Sequence, residues 1–168
     1  MRPTTITYPP NGVKPIGVME FVHGMCETRQ RYAETMKYFN NKGFICAISD
    51  IRGHGENILT KEDLGYFGEE GYKVLIDDVH EFTMFLRREF PHLPLILIGH
   101  SMGSLIVRAY LKKNSREVQA VVLSGSPSYN RFVGVAKHFT RFLALFRGWH
   151  YRSPMIEKLV NGPFEKPF

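Results

Sequence analysis

The sequence predicts an α/β fold in which a mostly parallel sheet carries helices on both faces. Apolar segments typical of buried strands occur at 17–22, 44–49 and 95–98. Segments with apolar residues at helical spacing alternate with them, and this alternation is typical of parallel crossover units. The third strand runs directly into Gly-His-Ser-Met-Gly at 99–103 and then into a helical segment.

The individual elements follow from local patterns along the chain. The predicted strands lie at 4–8, 17–22, 44–49, 95–98 and 120–123. The predicted helices of the same region lie at 29–41, 72–90 and 102–113. Residues 4–8 carry β-branched and aromatic side chains and end at a Pro-Pro-Asn-Gly turn, so we expect a short edge strand there. The four consecutive apolar residues at 95–98 predict a strand that is buried on both faces.

The pattern changes after residue 127. Residues 131–148 predict an amphipathic helix, and residues 154–160 predict a second, shorter helix, with no further strand. We therefore expect an α/β core over 1–127 and a helical insertion over 128–168.

Composition restricts the class of protein. The chain has 168 residues, of which 43% are hydrophobic, so it can form one core but not two ordinary domains. Its net charge is +6, but the 22 basic residues are interspersed with 16 acidic ones, which argues against nucleic-acid binding. The two cysteines lack metal-ligand spacing, and no apolar run approaches the ~20 residues of a transmembrane helix. We expect a cytoplasmic protein with free thiols, no metal and no cofactor.

Ser101 is the most informative residue, because it lies at the centre of a Gly-x-Ser-x-Gly pattern. Between an apolar strand and a helix, this pattern predicts a nucleophile elbow, a tight turn that lifts the serine hydroxyl above the sheet. Larger side chains at Gly99 and Gly103 would collide with the strand or the helix. The N-terminus of the following helix is directed at negative charge that develops there. The alternative is a tight turn with a serine that takes no part in chemistry.

Two further motifs stand at the ends of earlier predicted strands. They are His-Gly-Met at 23–25 and Asp-Ile-Arg-Gly-His-Gly at 50–55. Together with the serine motif, they resemble the α/β-hydrolase fold and, more narrowly, its monoacylglycerol lipase and lysophospholipase branch, also called serine aminopeptidase-like hydrolases. The resemblance covers nearly the whole chain and implies a helical cap, or lid, at 128–168. It also implies that Ser101 is the catalytic nucleophile and that the backbone N–H groups of Met25 and Met102 form the oxyanion hole.

Three histidines near these motifs are candidate bases by residue type. His23 adjoins the loop that carries Met25, His100 directly precedes Ser101, and His54 lies in the motif at 50–55. We expect all three to have supporting roles, with rings that bond to nearby backbone. Gly24 is also expected to have a supporting role, in the loop that carries Met25. A cysteine nucleophile at Cys26 is not expected, since this residue does not lie on an elbow.

The apolar stripe of the predicted helix at 131–148 permits three interpretations. It can be buried core, the lining of an acyl pocket, or a face that contacts a membrane and makes the protein peripheral to it. The phenylalanines assigned to an acyl pocket are Phe132, Phe139, Phe142 and Phe146.

The chain departs from the resembling family after Ser101. The family order places Asp or Glu and then His beyond the serine, on loops after later strands. Beyond residue 101 the sequence has no Asp, and its only histidines are His138 and His150. Glu117 and His138 have the required order, but Glu117 precedes its predicted strand and His138 lies within a predicted helix. We therefore expect a truncated fold, the N-terminal portion of a longer hydrolase whose acid and base lie beyond residue 168.

This departure also predicts an open sheet edge at 120–123, a strand apolar enough for the sheet interior. Open apolar edges pair readily with other strands. We expect self-association, or pairing with the missing C-terminal half.

The leading functional hypothesis is a serine hydrolase that cleaves carboxylic esters of monoacyl lipids through a Ser101 acyl-enzyme. A peptidase or thioesterase of the same fold is an alternative, because fold and motifs do not fix the substrate. A catalytically inactive binding module is a second alternative, because no base is evident in these residues. We expect the full-length protein to be an ester hydrolase and the 168-residue chain alone to be inactive.

Overall fold

The computed structural model describes residues 2–128, 133–148, 151 and 153–161. The chain divides into two compact units, and the boundary falls between Pro127 and Ser128.

The first unit is built on a five-stranded sheet. Its strands are β1 (Thr4–Thr7), β2 (Gly17–Val22), β3 (Phe44–Ser49), β4 (Leu95–His100) and β5 (Ala120–Ser124). Their order across the sheet is β1-β3-β2-β4-β5, with β1 antiparallel to β3 and all other neighbours parallel. The mostly parallel sheet is confirmed, and β1 lies at one edge as predicted. Because β2, β3 and β4 are parallel neighbours, the three motifs that follow them meet at one end of the sheet.

Three helices cover the two faces of this sheet. They are α1 (Ala33–Asn40), α2 (Tyr72–Glu89) and α3 (Met102–Asn114). Met36 of α1 packs in a cluster with side chains of β2 and β3. Leu75 and Val79 of α2 pack with Val107 of α3 in a separate cluster over β2 and β4. The prediction of one helix over 29–41 is only partly right, because the segment begins with a 3-10 turn, Arg29–Tyr32, before α1.

Strand β4 is less buried than its apolar sequence predicts. Leu95 and Leu97 are buried against the α2 and α3 side, whereas Ile96 and Ile98 are only partly buried. Ile96 and Ile98 pack against the cluster that contains Met36 of α1. The expectation of burial on both faces is therefore wrong for one face.

Strand β5 forms the second edge of the sheet within the part of the chain that the structure describes. It pairs with β4 alone, and Val122 and Leu123 are 48% and 41% exposed. The predicted open edge is present in these residues, and the association of this edge with a partner stays a prediction.

The second unit contains two helices, α4 (Val133–Arg147) and α5 (Pro154–Asn161). Both agree with the predicted helical segments to within two residues. Among the helices that the structure describes, none combines the length and apolar character needed to cross a membrane.

Candidate active site

Ser101 occupies a strained turn between β4 and α3. Its backbone has φ 50° and ψ −116°, and only one other non-glycine residue among those described, Cys26, has a positive φ. Such conformations cost on the order of 1–3 kcal/mol and persist only where neighbouring contacts enforce them. Here the Ser101 N–H donates to the Ser124 carbonyl at 2.9 Å. The Ser101 carbonyl accepts from the Ser104 N–H at 3.0 Å and from its hydroxyl at 2.6 Å.

The glycines on either side of Ser101 permit this turn. A Cβ atom at Gly99 would lie 2.7 Å from the Gly103 carbonyl oxygen. A Cβ atom at Gly103 would lie 2.1 Å from the Val22 carbonyl oxygen, on the neighbouring strand β2. The collisions predicted from the sequence are therefore present. The start of α3 can lie this close to the end of β2 only because residue 103 has no side chain.

The loop after β2 meets Ser101 directly. A Cβ atom at Gly24 would lie 3.2 Å from the Ser101 Cβ. Within the described residues, the backbone N–H groups of Met25 and Met102 have no hydrogen-bond acceptor. Met102 is the first residue of α3, so its N–H is one of the four that a helix leaves unpaired. Their assignment as oxyanion donors stays a prediction.

His23 is buried and bonds to backbone at both ring nitrogens. Its Nε2 accepts from the Ile51 N–H at 2.9 Å, and its Nδ1 lies 2.8 Å from the Gly24 carbonyl oxygen. Since a carbonyl can only accept, Nδ1 carries the proton. Burial lowers the pKa of His23 below its ordinary value despite the bond to Gly24, so the ring is neutral.

His54 also contacts backbone, while His100 does not follow the expectation. The Nδ1 atom of His54 lies 3.0 Å from the Arg52 carbonyl oxygen. The His100 ring, in the described structure, faces side chains instead. Its Nδ1 is 3.4 Å from the Ser124 Oγ, and its Nε2 is 3.8 Å from Glu27 Oε1. His100 ends β4 on the partly exposed face of the sheet, where the loop after β2 and the end of β5 lie beside it.

Glu27 is a residue of this site that the sequence interpretation missed. Its Oε2 accepts from the Gly24 N–H at 2.7 Å and from the Tyr32 hydroxyl at 2.8 Å, and its Oε1 pairs with Arg31 Nε at 3.0 Å. Burial acts to raise the pKa of Glu27, but these donors and the charge of His100 outweigh it and hold the pKa below its ordinary value. The only signal in the sequence was a carboxylate three residues after the glycine of the His-Gly motif.

Asp50 braces the loop after β3. This buried carboxylate accepts from the Arg29 N–H at 2.7 Å, from the Arg29 guanidinium, and from the Glu56 N–H at 3.1 Å. A Cβ atom at Gly55 would lie 2.2 Å from Asp50 Oδ2, so the loop closes tightly around the carboxylate. Among the described residues, no group of three or more His, Cys, Asp or Glu is arranged to hold a metal ion.

The phenylalanines assigned to an acyl pocket lie on α4, except Phe132, which is outside the described residues. Phe139 and Phe142 are exposed, Phe146 is 74% exposed, and the rings of Phe142 and Phe146 form an edge-to-face pair at 4.9 Å. These three side chains are therefore not buried core in the described structure. The remaining interpretations, an acyl pocket and a membrane-contacting face, stay predictions.

Comparison with known proteins agrees with this geometry. Residues 13–160 match the model of the family described as serine aminopeptidase, S33. The chain belongs to this family. Its sheet, its crossover helices and its likeness to solved esterases and lipases show an α/β-hydrolase fold, as the motifs predict.

The relatives include enzymes that act on lipids. The chain is 34% identical to a monoacylglycerol lipase of Mycolicibacterium smegmatis over 73% of its own length and 41% of that protein. It is 26% identical to a phospholipase of Bacillus subtilis, over 74% of this chain and 45% of the relative. A thermostable carboxyl esterase from Bacillus coagulans superposes with a TM-score of 0.83 at 27% identity, over 98% of this chain and 54% of the esterase. The chain thus spans about half the length of these relatives.

Proposed function

We propose that the protein is a serine hydrolase that cleaves carboxylic esters of monoacyl lipids, as a lysophospholipase or monoacylglycerol lipase does. The observation that carries the proposal is the position of Ser101, held at φ 50° between β4 and α3 and directly beside the loop after β2. A serine is rarely kept in this costly conformation without a use, and the family match supports the same chemistry.

The proposed reaction proceeds through an acyl-enzyme. The Ser101 hydroxyl oxygen attacks the ester carbonyl carbon, and the carbonyl oxygen becomes an oxyanion. The Met25 and Met102 N–H groups donate to this oxygen, and both are fixed before the reaction begins. In comparable sites, loss of one such donor costs about 3–4 kcal/mol of transition-state stabilisation. A general base takes the Ser101 proton during the attack and gives it to the leaving alcohol as the ester C–O bond breaks. Water, deprotonated by the same base, then cleaves the acyl–Ser101 bond, which releases the fatty acid and restores the serine hydroxyl.

The proposal places the base and the acid of the triad outside residues 1–168. Glu117 is the carboxylate with the required order, but it is engaged with Arg87 at 3.4 Å. His138 lies within the exposed helix α4. This chain matches less than half of each of these relatives, which leaves room in them for later loops that supply both groups.

The lipid substrate is proposed on two grounds. Relatives that match most of this chain are named for monoacylglycerol and phospholipid hydrolysis. Helix α4 adds an exposed apolar face next to cationic side chains, and an acyl chain with a polar head group needs both. The cationic residues are Lys137, Arg141 and Arg147. We propose that this unit acts as the cap, with contact to a membrane surface as the alternative use of the same face.

The family description gives one competing candidate, an aminopeptidase. An assay with the gene product in its natural length should compare a long-chain monoacylglycerol, a lysophospholipid and an aminoacyl anilide. We expect hydrolysis of the lipid esters, at least tenfold slower release from the anilide, and loss of both in Ser101→Ala. Preferred cleavage of the anilide would assign a peptidase, and lipid hydrolysis that survives Ser101→Ala would remove Ser101 from its role.

A further inference from the structure

Both peptide groups of Gly24 are held by side chains. The Gly24 N–H donates to Glu27 Oε2 at 2.7 Å, and the Gly24 carbonyl accepts from His23 Nδ1 at 2.8 Å. The His23 ring is itself fixed, since its Nε2 accepts from the Ile51 N–H at 2.9 Å. Gly24 therefore has little freedom to rotate, although glycine is the residue with the most conformational freedom.

The orientation of Gly24 decides where the Met25 N–H points. The Gly24 carbonyl and the Met25 N–H belong to one planar trans peptide, so they point in opposite directions. The carbonyl is directed at His23, and the N–H is directed away from it. Because Gly24 lies against Ser101, a rotation of this peptide would change the direction of the Met25 N–H beside the serine.

Glu27 is held as firmly as the groups it orients. Its side chain is only 10% exposed, and it takes hydrogen bonds from Tyr32 and Gly24 at the same oxygen. A carboxylate this close to a developing oxyanion would oppose it electrostatically. The guanidinium of Arg31, 3.0 Å from Oε1, offsets that charge, and His100 at 3.8 Å adds to the offset whenever it is protonated.

We propose that Glu27 is a positioning residue: it holds the peptide between His23 and Gly24 while the His23 ring holds the peptide between Gly24 and Met25, and together they keep the Met25 N–H facing the acyl oxygen on Ser101. This inference rests on the proposed function, because it gives Met25 an oxyanion to stabilise. Glu27 touches neither the substrate nor the serine hydroxyl, and it acts through the backbone of Gly24.

The first arm of the test measures how firmly the Gly24 N–H is held, and it requires no enzymatic activity. Amide hydrogen exchange at Gly24, followed by NMR on the 15N-labelled protein, should accelerate about tenfold or more in Glu27→Ala. Glu27→Gln keeps one acceptor oxygen, so exchange should be intermediate. Glu56→Gln is the matched control, since Glu56 also pairs with an arginine, Arg29, but contacts neither Gly24 nor His100. Unchanged exchange of the Leu97 amide would show that each variant remains folded.

The second arm measures the chemistry, as the rate of Ser101 modification by an alkyl fluorophosphonate with imidazole added as an external base. The phosphoryl oxygen of the probe takes the oxyanion position, so a misdirected Met25 N–H slows the reaction. Loss of a donor costs about 10²–10³-fold in comparable sites, and we expect a fall of about 10- to 100-fold in Glu27→Ala. The fall should be smaller in Glu27→Gln and absent in Glu56→Gln.

The outcomes separate the inference from the proposed function. Unchanged Gly24 exchange in Glu27→Ala would overturn the inference, whatever the activity of the protein. Faster exchange with an unchanged modification rate would show that Glu27 holds the loop but does not position a donor, which also overturns it. Modification that persists in Ser101→Ala would instead overturn the proposed function, while the exchange result would still decide whether Glu27 orients Gly24.

Discussion

At the scale of single residues, the candidate site depends on positions where a side chain cannot fit. Residue 103 belongs to the first turn of α3, and its Cα approaches the end of β2 so closely that only hydrogen fits. This approach keeps the helix N-terminus near the loop at Gly24. The strained backbone of Ser101 is thus a consequence of close strand-to-helix packing, which Gly99 and Gly103 permit.

Gly103→Ala tests this packing. The new methyl group would lie 2.1 Å from the Val22 carbonyl oxygen, and backbone on both sides limits relaxation. We expect the free energy of unfolding, measured by urea titration, to fall by at least about 1–3 kcal/mol, the usual cost of overpacking. Gly134→Ala in α4 is the control, because its Cβ would meet nothing within 4 Å, and it should be neutral or stabilising by up to about 1 kcal/mol. Equal effects of the two substitutions would contradict the close approach.

At the scale of elements, hydrophobic pattern predicted the bounds of the strands better than the start of α1 or the burial of β4. The bounds of β2 and β3 agree with prediction, because both strands lie between neighbours that require a continuous apolar segment. The predicted helix start was wrong: Arg29–Tyr32 forms a 3-10 turn, and Arg29 is ion-paired with Asp50, a contact distant in sequence. The partial exposure of Ile96 and Ile98 depends on what packs against this face of the sheet, which no pattern within β4 contains.

In the candidate site too, features with a local sequence pattern could be predicted, and contacts between residues distant in sequence could not. Ser101, Gly99 and Gly103 could be predicted because a tight strand-to-helix turn has a local signature. The contacts of Glu27 could not, since they depend on how the loop after β2 folds back on Gly24. The His100 ring was assigned to backbone contacts, yet its surroundings are set by β5 and Glu27, which are distant in sequence.

The packing of β2 against α2 contains a buried carboxyl group with consequences for stability. Glu20 of β2 is buried and accepts from the Thr83 hydroxyl of α2 at 2.7 Å. Burial raises its pKa to about 8, although Thr83 and the charge of Arg2 act to lower it. The folded protein therefore keeps a proton on Glu20 at neutral pH that the unfolded chain releases.

From this difference we predict that Glu20 makes the free energy of unfolding decrease as pH rises from about 4.5 to about 8. In this window the folded state binds more protons than the unfolded state, and the slope approaches about 1.4 kcal/mol per pH unit. The lowered pKa of His23 produces a slope of opposite sign below its ordinary value of 6.5, so the difference between variants is the measurement. Urea titrations at several pH values should show that Glu20→Gln removes this component. Glu81→Gln, at a side chain that is 79% exposed, should leave it in place, and parallel profiles for Glu20→Gln and the unsubstituted protein would refute the assignment.

At the scale of the whole molecule, the proposed function assigns to this chain one side of a hydrolase site. The sheet brings the serine turn and the loop at Gly24 together, and the unit that follows residue 127 offers an exposed apolar helix. Beyond Ser101, the sequence provides histidines only at 138 and 150. Under the proposed function, these residues contain the nucleophile and the oxyanion donors. The group that accepts the proton of Ser101 has to come from outside them.

Added imidazole should supply that acceptor for the 168-residue chain. Without a positioned base, the oxyanion hole and substrate binding alone give only about 10³–10⁴-fold catalysis over water, so turnover of p-nitrophenyl butyrate should be barely above that of Ser101→Ala. Imidazole hydrolyses this ester by itself, and the informative quantity is the excess rate of the unsubstituted chain over Ser101→Ala at equal imidazole concentration. We expect this excess to rise with imidazole until the site saturates, and to persist in His138→Ala. Ordinary turnover of about 10 s⁻¹ without imidazole, abolished by His138→Ala, would show instead that α4 carries the base and that these residues form a complete site.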